Sequence, residues 1–180
     1  MKSRNASFVI RTVLFTSIIT FSISSQAQKS PSLSDPEVAS AAVTANQVDI
    51  DYAAIALKTS KNKDILNFAN TMTTDHKAVI AQAVALATKL KVTPQTNYLT
   101  KKLQTDANVT KAKLKKLKGA AFDKAYIDNE VAYHKAVISA VETLLIPDTD
   151  NAELKSLLQN VVPALKTHLS HAEMVQKMMK

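Results

Sequence analysis

The chain has 180 residues, with one glycine, five prolines and neither cysteine nor tryptophan. A single glycine cannot supply the turns of a many-stranded sheet or a phosphate-binding loop, which excludes β-sandwiches, Rossmann folds and P-loop proteins. The absence of cysteine excludes disulfide scaffolds, thiol catalysis and cysteine-ligated metal centres. Hydrophobic residues make up 46% and charged residues 21% of the chain, as in a globular domain, and the net charge is +8 at pH 7.

The first 27 residues have the layout of a secretory signal peptide. Three basic residues precede an apolar run over residues 12–23, and Ser25-Gln26-Ala27 places small residues at the two positions that a signal peptidase reads. The run is too short to span a bilayer, which takes about 20 residues. We therefore predict cleavage after Ala27 and export to the periplasm; the alternative is an uncleaved N-terminal anchor.

The basic residues of the predicted mature chain are all lysines. Removal of the signal leaves 20 lysines and no arginine. Arginine is the preferred side chain for reading phosphate and guanine, so its absence argues against nucleic-acid binding. Five lysines between Lys111 and Lys118 form the one basic cluster. This cluster favours either a solvated helix face or a contact with an anionic membrane surface or cell-wall polymer.

Helical periodicity covers nearly all of the mature chain. After a short polar tail over residues 28–33, it predicts a single domain over residues 34–180. The predicted helices run over about residues 35–58, 63–91, 95–118, 121–145 and 150–180.

Local signals mark the ends of these helices. Ser34 and Glu37 form a capping-box pair before the first helix, and residues 150–153 form a second one before the last. Gly119 predicts the end of the helix over residues 95–118, and Pro147 predicts the end of the next helix.

The lengths of the connections predict the topology. About four residues join the first two helices, and about four join the last two, so each pair forms an antiparallel hairpin. Between these hairpins lies a crossover that holds its own helix, about 33 Å long at 1.5 Å per residue. This connectivity predicts an all-α, ferritin-like four-helix bundle with a long helical crossover between bundle helices 2 and 3.

Polar residues interrupt the apolar stripes of the bundle helices at core spacing. Glu130 precedes His134 by one turn, and His168 precedes His171 by three residues. Histidine and carboxylate side chains that converge from several helices are what a metal centre in a bundle core requires. The candidate ligands from this pattern are Asp49, His76, Glu130, His134 and His168.

A rise of 1.5 Å per residue places these candidates at two levels of the bundle. Asp49, Glu130 and His168 lie about 13–16 Å from the end where bundle helix 2 begins, and His76 and His134 lie about 21–22 Å from it. No helix carries the Glu-x-x-His motif of di-iron proteins, which disfavours that chemistry. The set predicts either a site for a divalent metal or copper ion, or histidines that are hydrogen-bonded core residues.

Methionines follow the last two histidines. His168, His171, Met174 and Met178 succeed one another at three- and four-residue steps, a set that suits copper(I). The alternative is that the methionines fill the end of the core. No serine has a visible His/Asp partner pattern and no carboxylate pair indicates a hydrolase, so we do not expect an enzyme.

Three segments resemble the signature segments of a known family. They run over residues 68–76, 122–134 and 168–173. The family comprises exported bacterial proteins and is known as domain of unknown function 4142, and the resemblance covers roughly residues 34–178. It implies a ferritin-like fold, export and no established activity, and its members are often described loosely as outer-membrane proteins. The positions that match its motif are Asp75, His76, Glu130, His134, His168 and His171.

Two functions follow from these patterns. The first is a non-catalytic periplasmic bundle that binds a divalent metal or copper ion through core histidines and carboxylates. The second is a structural or stress-related envelope protein, peripheral to the outer membrane, that acts through the lysines of the crossover helix. In the second, the histidines are core residues and bind no metal.

Overall fold

The computed structural model describes residues 31–179; the predicted signal peptide and residues 28–30 lie outside this range. All the regular elements within it are helical, which confirms the all-α class. They are α1 (Asp35–Thr59), α2 (Lys63–Leu90), α3 (Tyr98–Leu114), α4 (Gly119–Ala140), a π-helical segment (Val141–Leu145), α5 (Ile146–Asp148) and α6 (Ala152–Met178). No helix in the described range combines the length and apolarity needed to cross a membrane.

Asparagine side chains cap three of these helices. Asn62, Asn97 and Asn151 each accept hydrogen bonds from two backbone N–H groups in the first turns of α2, α3 and α6. The crossover helix α3 therefore begins at Tyr98, three residues later than predicted. The predicted Ser34–Glu37 pair is present at the start of α1, where Glu37 Oε2 accepts from the Ser34 N–H at 3.0 Å.

One of the two helix ends predicted from glycine and proline is wrong. α3 ends at Leu114, and Gly119 lies instead in the first position of α4 with φ +55°, a conformation that glycine adopts without strain. The helical run that begins with α4 continues through the π-helical segment and α5 and ends at Asp148, one residue after Pro147. Pro147 lies in the first turn of α5.

Ion pairs fix the directions in which the long helices run. Lys135 pairs with Glu173 at 2.7 Å and Lys166 pairs with Glu142 at 2.8 Å, so α4 and α6 are antiparallel. His168 contacts Asp75 at 2.9 Å and Glu153 pairs with Lys89, so α2 and α6 are also antiparallel. α2 and α4 therefore run in the same direction.

The crossover helix makes this parallel arrangement possible. Asn97 Nδ2 donates to the Glu37 carbonyl oxygen at 2.8 Å near the start of α1, and Lys111 Nζ lies 2.9 Å from Asp51 Oδ2 farther along. α3 therefore packs along α1 in the same direction and returns the chain to the end where α2 began.

The buried residues form two clusters, one in each half of the domain. The half where α2 begins is tightly packed around Ile65, Phe68, Met72 and Tyr126, each fully buried. The other half is built from aliphatic residues of α1, the π-helical segment and α6. Leu33, which the sequence assigned to the tail, is buried in this second cluster.

The apolar stripe of α2 passes through both halves but is packed differently in each. Ile65, Phe68 and Met72 have no exposed surface. Beyond His76 the stripe continues with apolar residues such as Leu86, yet no residue of α2 after His76 is fully buried. Leu86 instead lines a cavity of about 650 Å³.

This difference predicts unequal effects of truncation along one stripe. Ile65→Ala should lower the free energy of unfolding by about 2–5 kcal/mol, since it leaves a cavity in a packed core. Leu86→Ala should lower it by less than about 1.5 kcal/mol, since the residue already borders empty space. Urea unfolding of both variants measures the difference, and equal losses would contradict the packing described here.

Candidate metal centre

Four long helices bring buried histidine and carboxylate side chains together in the middle of the domain. One nitrogen from each of His76, His134 and His168 lies within 4.8 Å of the others. Asp49, Glu130 and His134 form a second such group, also within 4.8 Å. All five residues are buried. The structure therefore places a nitrogen- and oxygen-rich cluster where several side chains could hold a metal.

The two separations between Asp49 and the nearest imidazoles match those between ligands of one ion. Asp49 Oδ2 lies 3.3 Å from His76 Nε2 and 3.5 Å from His134 Nε2. Ligands about 2.0–2.1 Å from a tetrahedral ion lie roughly 3.3 Å from each other. These contacts are longer than ordinary hydrogen bonds from an O–H donor, and a proton on Asp49 can serve only one of the two nitrogens.

The hydrogen bonds of His76 fix which of its nitrogens carries the proton. His76 Nδ1 lies 2.7 Å from Asn46 Oδ1, and Asn46 Nδ2 donates to the Ala42 carbonyl oxygen at 2.8 Å. The second bond orients the Asn46 amide, so the oxygen faces His76 and Nδ1 must donate. Nε2 of the neutral ring then has a free lone pair, and it is buried without a hydrogen-bond partner.

The other two imidazoles follow the same pattern. His134 Nδ1 lies 3.0 Å from the Glu130 carbonyl oxygen, and His168 Nε2 lies 2.9 Å from Asp75 Oδ2. Both oxygens are acceptors, so each of these nitrogens donates. The remaining nitrogens, His134 Nε2 and His168 Nδ1, are buried without partners. An outer nitrogen that donates to an oxygen and an inner one left free is the usual arrangement of metal-binding histidines.

Burial keeps two carboxyls and two imidazoles of this cluster uncharged when no metal is bound. It raises the pKa of Asp49 to about 8 and, together with the Asp49 charge, raises the pKa of Glu130 well above its usual value. Burial and the neighbouring histidines lower the pKa of His76 to about 3, and burial lowers that of His134 to about 4. Both carboxyls are therefore largely protonated and both rings neutral near pH 7.

The structure separates the remaining predicted site residues from the cluster. Asp75 is about half exposed, and its carboxylate lies 2.9 Å from the outer nitrogen of His168. His171 packs edge-on against Phe68 at a centroid distance of 5.1 Å and belongs to neither group. Met174 and Met178 are more than half exposed. The four residues proposed for copper(I) therefore do not converge, because His168 turns into the core.

The predicted division of the ligands into two levels is wrong. Asp49 and His168 meet His76 and His134 directly. Helical side chains point toward the N-terminus of their own helix. Those of α2 and α4 therefore point toward the end where α2 begins, and those of α1 and α6 point away from it. Asp49 and His168 therefore both reach His76 and His134, although the backbones differ by about one turn.

Asn46 and Tyr133 are parts of the site that sequence reasoning missed. Tyr133 Oη donates to the Ala45 carbonyl oxygen at 2.8 Å and joins α4 to α1 beside the cluster. Asn46 lies one turn before Asp49 on α1, and this spacing is the signal that could have found it.

The lysine cluster of the crossover lies apart from this site. Lys113, Lys115, Lys116 and Lys118 are exposed, and Lys111 pairs with Asp51. The contact with an anionic surface stays a prediction.

Comparison with known proteins places the chain in a family. The model for the domain of unknown function DUF4142 matches residues 21–175, and the chain belongs to this family. No curated protein and no solved structure matches it.

The raised and lowered pKa values predict how the metal-free protein responds to pH. Asp49 and Glu130 contribute stability at low pH, and this contribution is lost as the pH rises, through about pH 8 for Asp49. His76 and His134 contribute stability above pH 6.5, and this contribution is lost as the pH falls toward 3–4. The two effects oppose each other below pH 6.5, and only the carboxyl effect operates above it. Stability should therefore fall between pH 6.5 and 8, by roughly 2 kcal/mol per carboxyl that must lose its proton.

Urea unfolding of chelator-treated protein at several pH values measures this loss. Asp49→Asn, which cannot titrate, should reduce it. The same loss in wild type and Asp49→Asn would show that other groups cause it.

Proposed function

We propose that the protein binds one divalent first-row transition-metal ion inside a ferritin-like four-helix bundle. The ligands are Asp49 of α1, His76 of α2, His134 of α4 and His168 of α6, one from each long helix. The parallel course of α2 and α4, connected by a helical crossover, supports the ferritin-like assignment.

The observation that carries the proposal is the set of three inner imidazole nitrogens. Each is buried and without a hydrogen-bond partner, while the outer nitrogen of the same ring is held by an oxygen acceptor. An unpaired buried polar atom costs about 1–3 kcal/mol. Core histidines kept only for packing would be expected to pair both nitrogens, so the pattern favours a ligand that uses the lone pairs.

The donor set narrows the choice of metal. Imidazole nitrogens suit zinc, copper, iron and nickel, whereas calcium and magnesium prefer all-oxygen sites. Three imidazoles and one carboxylate are ligands of intermediate to hard character. They include no sulfur, which disfavours copper(I). Glu130 takes a different role in this proposal. Its carbonyl oxygen orients His134, and its carboxyl group lies 3.7 Å from Nδ1 of that ring.

The proposal includes the exported location that the first 27 residues predict. Metal binding in that setting would take place in the periplasm, and the lysine-rich crossover would be free to contact the envelope.

Removal of two ligands should abolish metal binding and leave the fold intact. Wild-type protein, purified without chelator or histidine tag, should hold one metal ion per chain by elemental analysis. A His134→Ala/His168→Ala variant should hold almost none and keep its helical circular dichroism. His171→Ala is the matched control, because His171 lies on α6 outside the cluster, and it should keep the full metal content. Equal metal content in the double variant would refute the assignment.

Loss of an orienting hydrogen bond should weaken the site without removing a ligand. Asn46→Ala should lower metal affinity about 10–100-fold, because His76 loses the acceptor that fixes its tautomer and ring orientation. Gln47→Ala, at an exposed neighbouring position, should leave it unchanged. Competition with a chromogenic chelator measures both affinities. A normal affinity in Asn46→Ala would mean that the amide does not support the ring.

A further inference from the structure

The cavity of about 650 Å³ extends from the metal centre along the loosely packed half of the domain. Its wall includes Asp49, His76, His134 and His168 at one place and reaches Leu90 at the end of α2. Fourteen residues of helix separate His76 from Leu90, which corresponds to about 21 Å. Pockets of about 300–1,000 Å³ commonly enclose organic ligands. The cavity is thus long, and it is large enough for a small molecule.

Small side chains create this space. All four long helices place alanines on the wall, among them Ala42, Ala45, Ala83, Ala87, Ala140 and Ala164. Leucines and valines supply most of the rest, so the wall away from the metal centre is apolar. A void of this kind inside a bundle lacks packing contacts that an apolar ligand would restore.

Some polar atoms of the cavity wall already have hydrogen-bond partners, and others could bind a ligand. At the far end, the Asp35 carboxylate already accepts from the backbone N–H groups of Asp150 and Asn151. Near the middle, Asn46 and Tyr133 are bonded to their own partners. The unpaired atoms of the metal centre lie at one end of the cavity. A ligand would therefore have one polar end and a long apolar body.

Charge suggests the chemistry of that polar end. A divalent ion held by Asp49 and three neutral imidazoles carries a net charge of +1 in a buried place. Glu130 is not part of the cavity wall, whereas Asp75 is, with its carboxylate held on the outer nitrogen of His168. An anionic oxygen group that reached the ion from the cavity as a fifth ligand would neutralise this positive charge. A carboxylate also offers an oxygen ligand of the type that these metals accept.

We propose that the cavity binds a long-chain fatty acid, with its carboxylate at the metal centre and its acyl chain along the apolar part of the wall. The inference rests on the proposed metal site and names the ligand class of that site. Access is available at the surface, because exposed side chains such as Gln82 and Lys102 form part of the wall.

Calorimetric titration of the metal-loaded protein with palmitate tests the inference. Acetate and hexadecanol are titrated for comparison. Acetate has the carboxylate without the acyl chain, and hexadecanol has the chain without the charge. Ala83→Leu extends a side chain into the cavity and should weaken palmitate binding at least about tenfold. Ala85→Leu is the matched control on the exposed side of α2, and it should bind like wild type. Elemental analysis of every sample records the metal content separately.

The expected result is that palmitate binds more tightly than hexadecanol or acetate, and that chelation removes its advantage over hexadecanol. Equal palmitate affinity in wild type and Ala83→Leu would overturn the cavity as the site. No palmitate binding by protein with one metal per chain would overturn the inference and leave the metal function intact. A wild-type protein without metal affinity would refute the proposed function, and with it the placement of the carboxylate.

Discussion

Burial of ionisable side chains in the middle of the domain is the constraint on which the rest of the structure depends. Asp49 and Glu130 are inaccessible to solvent, and the three nearby imidazoles are almost so. Without a metal, Asp49 and His76 avoid charge through large pKa shifts, and several polar atoms still lack partners. The helices around it must therefore be held rigidly enough to keep these groups out of water. The packed half of the core, around Phe68 and Tyr126, provides that support.

The order and direction of the helices followed from simple features of the sequence. The short connections and the long crossover were enough, because chain length limits which helix ends can meet. The ends of α3 were harder to place. Asn97 caps that helix with its own side chain, so the helix begins at Tyr98 rather than at residue 95. Gly119 has the left-handed conformation typical of a helix end, but it lies at the start of α4. Local signals of similar strength compete, and packing decides between them.

The candidate site was predictable in composition but not in geometry. The spacing of His76, Glu130, His134 and His168 on apolar stripes placed them in the core. A level calculated from the backbone rise ignored the direction in which helical side chains lean, so it separated residues that in fact touch. The role of Asp75 was also beyond the sequence, since only the ring orientation of His168 decides which nitrogen it meets. The cavity could not be predicted from the sequence, because an apolar stripe has the same spacing whether it lines a cavity or packs in a core.

One feature of the site affects the whole chain. Each of the four long helices contributes one of the proposed ligands. An ion bound to all four would act as a covalent cross-link does, tying together segments that are distant in sequence and shrinking the unfolded ensemble. The chain has no cysteine with which to form such a link. Its tether would therefore be insensitive to reducing agents and sensitive to chelators, which is the reverse of a disulfide-stabilised protein.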